Sequence, residues 1–451
     1  MRNVKAYLST KENMRMLSPK EDVRFQPDNE TEKEIINIYP DVKYQKVLGF
    51  GGAFTETSAY NYAKLSPQNQ RKIIEAYFDP VKGMGYNFCR THIHSCDFSL
   101  DEYTYTEDDD TALETFSIDR DRKYIIPFIK AAQKTAGDEL ILFGSPWSPP
   151  PWMKDNKEFA NGGKLDWQYA ACWAAYMARY VTEYRKEGIE LFGLTVQNEA
   201  MAIQTWESCQ YTAEEEGLFV RDHLKPALEK AGLDTRVMIW DHNKERVYDR
   251  SRDSFKLEGV KDSVWGIAFH WYSGNHYKAL EMAYEAFPDK PLVLSEYCIG
   301  TTRGEPIPGP HSSWIGVEMV ADELIGNLNH GMAAAVDWNL VIDQDGGPFH
   351  NRDLGCKSPI VADTKNDTVS LEPYYYSIAH FSKFIKRGAV RIGCSTFDVR
   401  IPAVACVNPD GNVVMVALNT MDSAAPVYVR LDDCTAKMEL PPKSLVTFVI
   451  S

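Results

Sequence analysis

Eight short hydrophobic runs recur between residues 47 and 340, with longer helical segments between them. Each run is almost continuously apolar instead of alternating with polar residues. This is typical of strands that are buried on both faces, as in parallel sheets. The runs are VLGFGGAF (47–54), YNFCRTHI (86–93), LILFGSPW (140–147), FGLTVQNE (192–199), VMIWDH (237–242), GIAFHWY (266–272), LVLSE (292–296) and AAAVDWNL (333–340). Eight buried strands joined by helices predict an α/β fold of the (β/α)8, or TIM barrel, type.

Helix signals fall between these runs. Ser66 followed by Pro67 predicts an N-cap with proline at the first helical position. Thr212 and Glu215 have the spacing of a capping box, and Gly232 predicts the end of the helix that they begin. These segments are therefore expected to form helices that cover the outside of the barrel.

The chain changes character near residue 388. Beyond it, strand-like runs follow one another without helices, and Asn-Pro-Asp-Gly at 408–411 predicts a tight hairpin. The first 45 residues contain two further strand-like runs. We therefore expect residues 46–387 to form the catalytic barrel, and residues 1–45 with 388–451 to form an attached antiparallel β-sandwich-like side domain.

Composition narrows the possible partners. The chain has 49 Lys and Arg against 64 Asp and Glu, which gives a net charge of −15. This balance argues against nucleic acid as the main partner, because no basic face is available to replace counterions. Apolar stretches such as AACWAAYMARYV are too short for a membrane span.

The compartment is also predicted from the sequence. Nine cysteines are scattered without a CxxC pair, which favours a reducing compartment over a disulfide framework. The N-terminal segment MRNVKAYLSTKENMRML lacks the apolar core of a secretory signal. The expectation is a cytoplasmic protein, with secretion as the alternative if a leader has been removed. The oligomeric state is not readable.

Polar and aromatic residues end the predicted strands, and in a barrel those ends meet at one face. Glu199 ends the fourth run and Glu296 ends the seventh. Either glutamate alone would be interpreted as a strand-end residue in a surface loop. Together, after such apolar runs, they indicate a carbohydrate site, because two carboxylates are the minimum that hydrolysis of a glycosidic bond requires.

Several segments in order along the chain resemble glycoside hydrolase family 30, and its glucosylceramidase branch in particular. They are GFGGAFTE (49–56), RTHIHSCDFSL (90–100), SPWSPPPWMK (145–154), LTVQNE (194–199), WESCQYT (206–212), GIAFHWY (266–272), LVLSEYC (292–298) and DWNLVIDQDGGP (337–348). The N- and C-terminal strand segments resemble that family's side domain. The likeness therefore covers nearly the whole chain and implies hydrolysis of a β-glycoside substrate without a cofactor.

The resemblance implies a retaining mechanism with Glu199 as general acid/base and Glu296 as nucleophile. Retention requires the two carboxyl groups to be about 5–5.5 Å apart, against about 6.5–9.5 Å for inversion. At that separation an ionised Glu296 is expected to raise the pKa of Glu199 and keep it protonated. Formation of the glycosyl ester would remove the charge and allow Glu199 to act as a base.

Seven further residues acquire roles from the resemblance. Asn198 would hold the sugar 2-hydroxyl, a contact that strengthens in the transition state. The other six are Glu56, which would clasp sugar hydroxyls, Trp147 and Trp338, which would form aromatic walls, and Arg90, His270 and Tyr272, which would orient the two glutamates. Each also has a structural interpretation, as an ion-pair partner or as a core residue.

Other interpretations remain open. His92 and His94 with Asp97, or Asp241 with His242, could indicate a metal-dependent hydrolase, since histidines two apart on a strand point the same way. No further ligand follows at a typical spacing, so the metal prediction is none. A catalytically inactive carbohydrate-binding protein is a second alternative, against which both glutamates argue. Related branches of the family act on β-1,6-glucans, xylosides and fucosides, which leaves the sugar and the aglycone open.

Overall fold

A computed structural model of the protein describes residues 3–20, 23–137, 140–302, 305–306, 314–350 and 355–451. Its strands are, in chain order, β1 (Val4–Thr10), β2 (Arg15–Lys20), β3 (Phe25–Pro27), β4 (Ile35–Lys46), β5 (Gly49–Phe54), β6 (Phe88–Ile93), β7 (Ile141–Pro146), β8 (Gly193–Thr195), β9 (Arg236–Asn243), β10 (Gly266–His270), β11 (Leu292–Tyr297), β12 (Thr301–Thr302), β13 (Glu305–Pro306), β14 (Met332–Asp337), β15 (Val341–Asp343), β16 (Ile360–Asp363), β17 (Thr368–Leu371), β18 (Val390–Ser395), β19 (Ala403–Val407), β20 (Val413–Asn419), β21 (Ala425–Leu431), β22 (Cys434–Leu440) and β23 (Ser444–Ile450).

The α-helices lie mainly between the barrel strands. They are α1 (Glu56–Lys64), α2 (Pro67–Phe78), α3 (Asp119–Lys123), α4 (Ile125–Ala136), α5 (Ala170–Lys186), α6 (Ala213–Phe219), α7 (Lys225–Lys230), α8 (Val247–Phe255), α9 (Val260–Ser263), α10 (Tyr277–Ala286), α11 (Trp314–Asn329) and α12 (Pro373–Ser382). None of the helices in the described ranges combines the length and the apolar character that a membrane crossing would need.

The strands β5 to β11 and β14 close into a parallel barrel in chain order. Each of the eight predicted runs supplies one strand, so the (β/α)8 prediction is confirmed. Ala334 on β14 pairs with Gly49 on β5, and this contact closes the ring. The close approach of β5 to β6 requires glycine, because a Cβ at Gly51 would lie 1.8 Å from the carbonyl oxygen of Phe88.

The predicted helix caps are present. The Ser66 hydroxyl accepts a hydrogen bond from the backbone N–H of Asn69 at 3.5 Å. Thr212 and Glu215 form both hydrogen bonds of the capping box. The single helix expected to run to Gly232 is instead interrupted, since a π turn at Val220–Leu224 separates α6 from α7. The interruption precedes Pro226, whose ring nitrogen cannot donate an intrahelical hydrogen bond.

The side domain is a ten-stranded sheet in the order β2-β1-β23-β20-β19-β18-β4-β21-β22-β3. Its strands share one apolar core, which draws on both the N-terminal and the C-terminal segments of the chain. The predicted hairpin at 408–411 joins β19 to β20, and Gly411 adopts a φ of 85° there. One pairing differs from the prediction, because β21 pairs with β4 in parallel. The two strands come from opposite ends of the chain, so no hairpin forces them to be antiparallel. The division of the chain at residues 46 and 387 stays a prediction.

Candidate active site

The backbone is strained at the carboxyl ends of several barrel strands. Glu199, Trp240, Asp241 and Asn339 have positive φ angles of 51°, 77°, 46° and 65°. These non-glycine residues rarely adopt that conformation, and it persists only where the surrounding structure holds it in place. Positive φ also occurs in turns elsewhere in the chain, but these four residues lie at the barrel rim together with the predicted site residues.

Glu296, on β11, is held at both carboxylate oxygens. Tyr272 donates its hydroxyl to Oε1 at 2.8 Å, and Arg90 donates from Nη1 to Oε2 at 2.7 Å. Burial raises the pKa of Glu296 above its ordinary value. The charge of Glu199 contributes to this rise, while His270 and Arg90 oppose it. The carboxylate is thus oriented from two sides in a buried site.

Arg90 connects the ends of four strands. Besides Glu296, its guanidinium donates to Ser145 Oγ at 3.0 Å, to Asn198 Oδ1 at 2.9 Å and to Asp241 Oδ2 at 2.8 Å. The side chain is fully buried. A buried cation is tolerated only when it is paired and hydrogen-bonded, and two carboxylates fulfil that condition here.

Asp241 shares Arg90 with Glu296 and His270 with Glu199, and it accepts hydrogen bonds at both oxygens. Thr195 Oγ1 donates to Oδ2 at 2.7 Å and Ser295 Oγ donates to Oδ1 at 2.5 Å. His270 Nε2 also donates to Oδ1, at 3.0 Å. Burial favours the neutral acid, but Arg90 and then His270 outweigh it and lower the pKa of Asp241. Asp241 therefore supplies a fixed negative charge.

Glu199 is hydrogen-bonded to His270, the histidine that also contacts Asp241. His270 Nδ1 lies 3.3 Å from Glu199 Oε1, and Gln204 donates its side-chain amide to Oε2 at 3.3 Å. Burial favours the neutral form of Glu199, but the neighbouring His242 and His270 outweigh it and lower its pKa to about 2. The pKa of His270, by contrast, is raised.

Burial disfavours the charged form of His270, yet the carboxylates of Glu296, Asp241 and Glu199 raise its pKa to about 9. The expectation that Glu199 has a raised pKa and carries the proton in the free enzyme is therefore wrong for this geometry. The physical reason is that an imidazolium lies between two carboxylates, so the proton resides on the histidine. Sequence reasoning considered the charge of Glu296 and not this third group.

Glu199 and Glu296 are 97 positions apart in the chain, yet the structure brings them close enough for the charge of Glu199 to raise the pKa of Glu296. Both carboxylates raise the pKa of His270. Arg90 donates hydrogen bonds to Glu296 and to Asn198, the residue before Glu199. Asp241 joins six predicted residues into one hydrogen-bonded network, because it bonds to both Arg90 and His270. The six are Arg90, Asn198, Glu199, His270, Tyr272 and Glu296.

Trp147 and Trp338 stack on each other with ring centroids 5.0 Å apart and an interplanar angle of 23°. The Arg90 guanidinium lies 4.7 Å from the Trp147 ring centroid. Both tryptophans are only 2% exposed. They belong to a buried apolar cluster, against which the half-buried Trp206 packs. Trp206 was not among the predicted site residues, although the segment WESCQYT that contains it carries part of the family resemblance. The two predicted walls are therefore packed against each other and against Arg90.

Glu56 occupies a different environment from the other predicted residues. Arg120 donates to both of its carboxylate oxygens, at 2.8 and 3.0 Å, and the Leu100 backbone N–H donates to Oε2 at 2.8 Å. These contacts tie the start of α1 to the loop after β6. They give Glu56 a structural role, and its sugar-clasping role stays a prediction without support from this geometry.

Asp97 is the acidic residue that sequence reasoning misplaced, since it was weighed only as a metal ligand. It is 8% exposed, and its Oδ1 has no hydrogen-bond partner among the described residues. Burial and then the charge of Glu296 raise its pKa well above the ordinary value, and Glu199 adds to the effect. Asp97 therefore lies with both glutamates. The SCDFS segment, already noted for its resemblance, was the signal that could have found it.

The histidines of the metal alternative already have partners. His92 Nε2 accepts from the Glu56 backbone N–H at 2.9 Å, and its Nδ1 contacts the His94 carbonyl. His94 contacts Tyr176 Oη at 2.9 Å and the Ser148 carbonyl at 2.5 Å. In the described part of the chain, no three side chains of the usual ligand types form a group that could hold a metal ion.

A closed (β/α)8 barrel defines the class of barrel glycosidases when it carries two glutamates at its carboxyl face, here Glu199 in the turn after β8 and Glu296 on β11, the second oriented by an arginine and a tyrosine. Residues 47–385 match the glycosyl hydrolase family 30 TIM-barrel domain. Residues 388–448 match the glycosyl hydrolase family 30 beta sandwich domain. The chain belongs to glycosyl hydrolase family 30 and is a glycosidase.

Relatives and solved structures agree with this assignment. The lysosomal acid glucosylceramidase of Mus musculus is 31% identical over 413 residues, which cover 88% of this chain and 80% of the relative. An endo-1,6-beta-D-glucanase of Neurospora crassa is 28% identical and covers 90% of this chain and 84% of its own. The crystal structure of SrfJ from Salmonella typhimurium superposes with a TM-score of 0.94 at 33% identity, covering 100% and 99% of the two chains.

Proposed function

We propose that the protein is a retaining β-glycosidase that hydrolyses β-glucosides through a covalent glycosyl-enzyme intermediate. Glu296 is the nucleophile and Glu199 is the general acid/base. The observation that carries the proposal is the different environment of the two carboxylates. Arg90 and Tyr272 orient Glu296, whereas Glu199 has a histidine that stores a proton. The first arrangement suits attack on carbon, and the second suits proton transfer.

In the first step, Glu296 attacks the anomeric carbon while Glu199 protonates the leaving oxygen. The Glu199–His270 pair holds one proton at neutral pH, and in the free enzyme that proton is on His270 because its pKa is raised to about 9. When the leaving oxygen displaces water around Glu199, the neutral acid becomes favoured over a buried ion. His270 then gives its proton to Glu199, and Glu199 delivers a proton to the departing group.

In the second step, the ester has removed the charge of Glu296. Glu199 then accepts a proton from water, and the resulting hydroxide attacks the anomeric carbon. Retention follows because two displacements each invert the configuration. Arg90 stabilises the carboxylate that leaves, as it did before the reaction.

The sugar would be held by Asn198 and Asp97. Asn198 lies next to Glu199, in a position suited to the 2-hydroxyl, and Arg90 fixes its Oδ1 at 2.9 Å. The buried unpartnered Oδ1 of Asp97 needs a donor, which a sugar hydroxyl would supply. Glucosides of the glucosylceramide type or short β-gluco-oligosaccharides are the leading substrates, in view of the mouse relative. β-1,6-Glucan is the second candidate, in view of the fungal relative.

The test is a panel of aryl β-glucosides, β-xylosides and β-fucosides, together with glucosylceramide in detergent and β-1,6- and β-1,3-linked glucose oligomers. Product anomers are followed by proton NMR during the first minutes of turnover. We expect the β-glucosides to be hydrolysed fastest, with β-glucose as the first product. An α-anomer as first product would overturn the retaining mechanism. Faster cleavage of internal β-1,6 bonds would replace the leading substrate by the second candidate.

A further inference from the structure

Two cysteines lie in contact beside the proposed nucleophile. Cys298 follows Glu296 by two residues, and its Sγ is 3.2 Å from the Sγ of Cys356. Both thiols are free and buried. The pair is separated by 58 positions in the chain, so neither the spacing nor a motif indicates it. Chemistry proposed above does not use either thiol.

The two backbone segments that carry the thiols are in close contact. The Lys357 N–H donates to the Ile299 carbonyl at 2.7 Å, so the segment after β11 and the segment around residue 356 are hydrogen-bonded next to the thiols. A Cβ at Gly300 would lie 2.9 Å from the Cα of Cys356. A disulfide requires Cα atoms within about 4.4–6.8 Å of each other. Segments in such contact can meet that requirement with little backbone movement.

The thiols are also coupled to the proposed catalytic groups. Tyr272 connects Cys298 to Glu296, because its hydroxyl donates to Glu296 Oε1 at 2.8 Å and is 3.6 Å from Cys298 Sγ. The charges of Asp97 and Glu296 reach Cys356. A change in the position of the Cys298 sulfur should therefore displace the Tyr272 hydroxyl, which orients Glu296.

We propose that Cys298 and Cys356 form a redox-active dithiol site, and that its oxidation to a disulfide reversibly lowers turnover by moving Tyr272 away from Glu296. The oxidant is a small neutral disulfide that can enter the sugar site. The thiolate of one cysteine attacks that disulfide and releases one small thiol. The second cysteine then attacks the mixed disulfide and releases the other small thiol. Two protein S–H bonds are lost, one S–S bond forms, and both protons end on the released thiols.

The surroundings set the conditions for this reaction. The neighbouring Cys298 sulfur, burial and nearby negative charges raise the pKa of Cys356 well above its ordinary value. Since the thiolate is the attacking species, oxidation is expected to be slow at neutral pH and faster at pH 9. A β-glucoside analogue that occupies the site should slow it further by blocking access.

The experiment treats the full-length protein with 2-hydroxyethyl disulfide at pH 7 and pH 9. Intact mass and peptide mapping follow the thiols, and hydrolysis of an aryl β-glucoside follows turnover. We expect the loss of two hydrogen atoms without an adduct and a 298–356 cross-linked peptide. We also expect a fall in kcat of about tenfold or more, since one hydrogen bond to a charged group is disturbed. Dithiothreitol should restore both readouts. The effect on kcat depends on the function proposed above, whereas the cross-link does not.

Matched variants separate this site from the other thiols. Cys356→Ser should keep its activity after treatment, and Cys356→Ala serves if the serine variant does not fold. Cys172→Ser removes a half-buried thiol on α5 and should respond like the unaltered protein. Reagent adducts at 298 or 356 without an internal cross-link would overturn the proposal. A cross-link that leaves kcat unchanged, or equal inactivation of Cys356→Ser, would overturn it as well.

Discussion

The interior of the barrel contains an apolar layer of side chains and, two residues further along the same strands, a layer of charges and polar groups. The first layer consists of Phe88, Phe143, Met238, Ala268, Val293, Ala334 and Val336. The second layer contains Arg90, Ser145, His270 and Ser295, each two positions after a member of the first, together with Asp241 on β9. Residues two apart on a strand point to the same side, so the layers are stacked about 7 Å apart.

The two layers do different work. In the apolar layer, burial of each large side chain stabilises the fold by about 1.5–3 kcal/mol. In the polar layer, burial of each ion costs several kcal/mol unless the ion is paired. Arg90 and Asp241 pay that cost through their mutual ion pair at 2.8 Å. The apolar layer therefore supports a polar layer that could not assemble by itself. If the layers divide stability and chemistry in this way, substitutions in the polar layer should affect turnover much more than substitutions in the apolar layer.

The largest effect on turnover is expected for Glu296→Gln. The amide keeps the shape of the side chain but cannot act as the nucleophile, so kcat should fall on the order of 10⁴-fold or more. Hydrolysis of an aryl β-glucoside gives the measurement, and circular dichroism checks the fold. A variant that stays within tenfold of the unaltered protein would remove Glu296 from the nucleophile role.

Glu199→Gln should have the next largest effect, and it should depend on the leaving group. Alkyl glucosides need the acid, so their kcat should fall by about 10²–10⁴-fold. A dinitrophenyl glucoside needs little acid help in the first step but still needs the base in the second. It should therefore give a burst of phenolate followed by slow turnover in stopped-flow measurements. Equal losses for both kinds of substrate, with no burst, would contradict the acid/base assignment.

Asp241→Asn tests whether the polar layer tunes the proton of His270. The charge of Asp241 is one of the causes that raise the pKa of His270 to about 9. Without that charge the pKa of His270 falls, and the proton is lost at a lower pH. The basic limb of kcat/KM should therefore move to lower pH, and kcat at pH 7 should fall by about tenfold, as expected for a lost hydrogen bond between charged groups.

Ser295→Ala is the matched control for that variant. It removes a hydrogen bond to Asp241 Oδ1 at 2.5 Å and keeps the charge. Its basic limb should stay where it is in the unaltered protein. If both variants shift the limb equally, packing rather than charge sets the pKa of His270.

Val293→Ala should have the smallest effect on turnover, because it changes the apolar layer alone. The fully buried side chain leaves a cavity, and the free energy of unfolding should fall by about 1–3 kcal/mol. Urea denaturation measures the loss, and kcat should stay within about twofold, since the substitution leaves every charged and polar side chain of the site unchanged. A loss of kcat as large as that of Asp241→Asn would end the division between the layers.

Local sequence was sufficient for the barrel and for several helix boundaries. The eight apolar runs, the Ser66 cap and the Thr212 capping box depend on residues that are neighbours in the chain, and the structure has all of them. The placement of Glu296 near the end of β11 and of Glu199 in the turn after β8 follows from the same pattern. The resemblance to family 30, confirmed by the match over residues 47–385, rests on such contiguous motifs.

Tertiary structure alone decided which groups meet and what charge they carry. Glu56 and Asp97 follow consecutive barrel strands, but their surroundings differ. Arg120 is paired with Glu56, whereas Asp97 interacts with the charges of both Glu199 and Glu296. The proton resides on His270 rather than on Glu199 because an imidazole lies between two carboxylates. Burial and Coulomb interactions are sums over every neighbour in space, and the chain folds distant segments together to supply those neighbours. A linear pattern contains the side chains but not the distances between them.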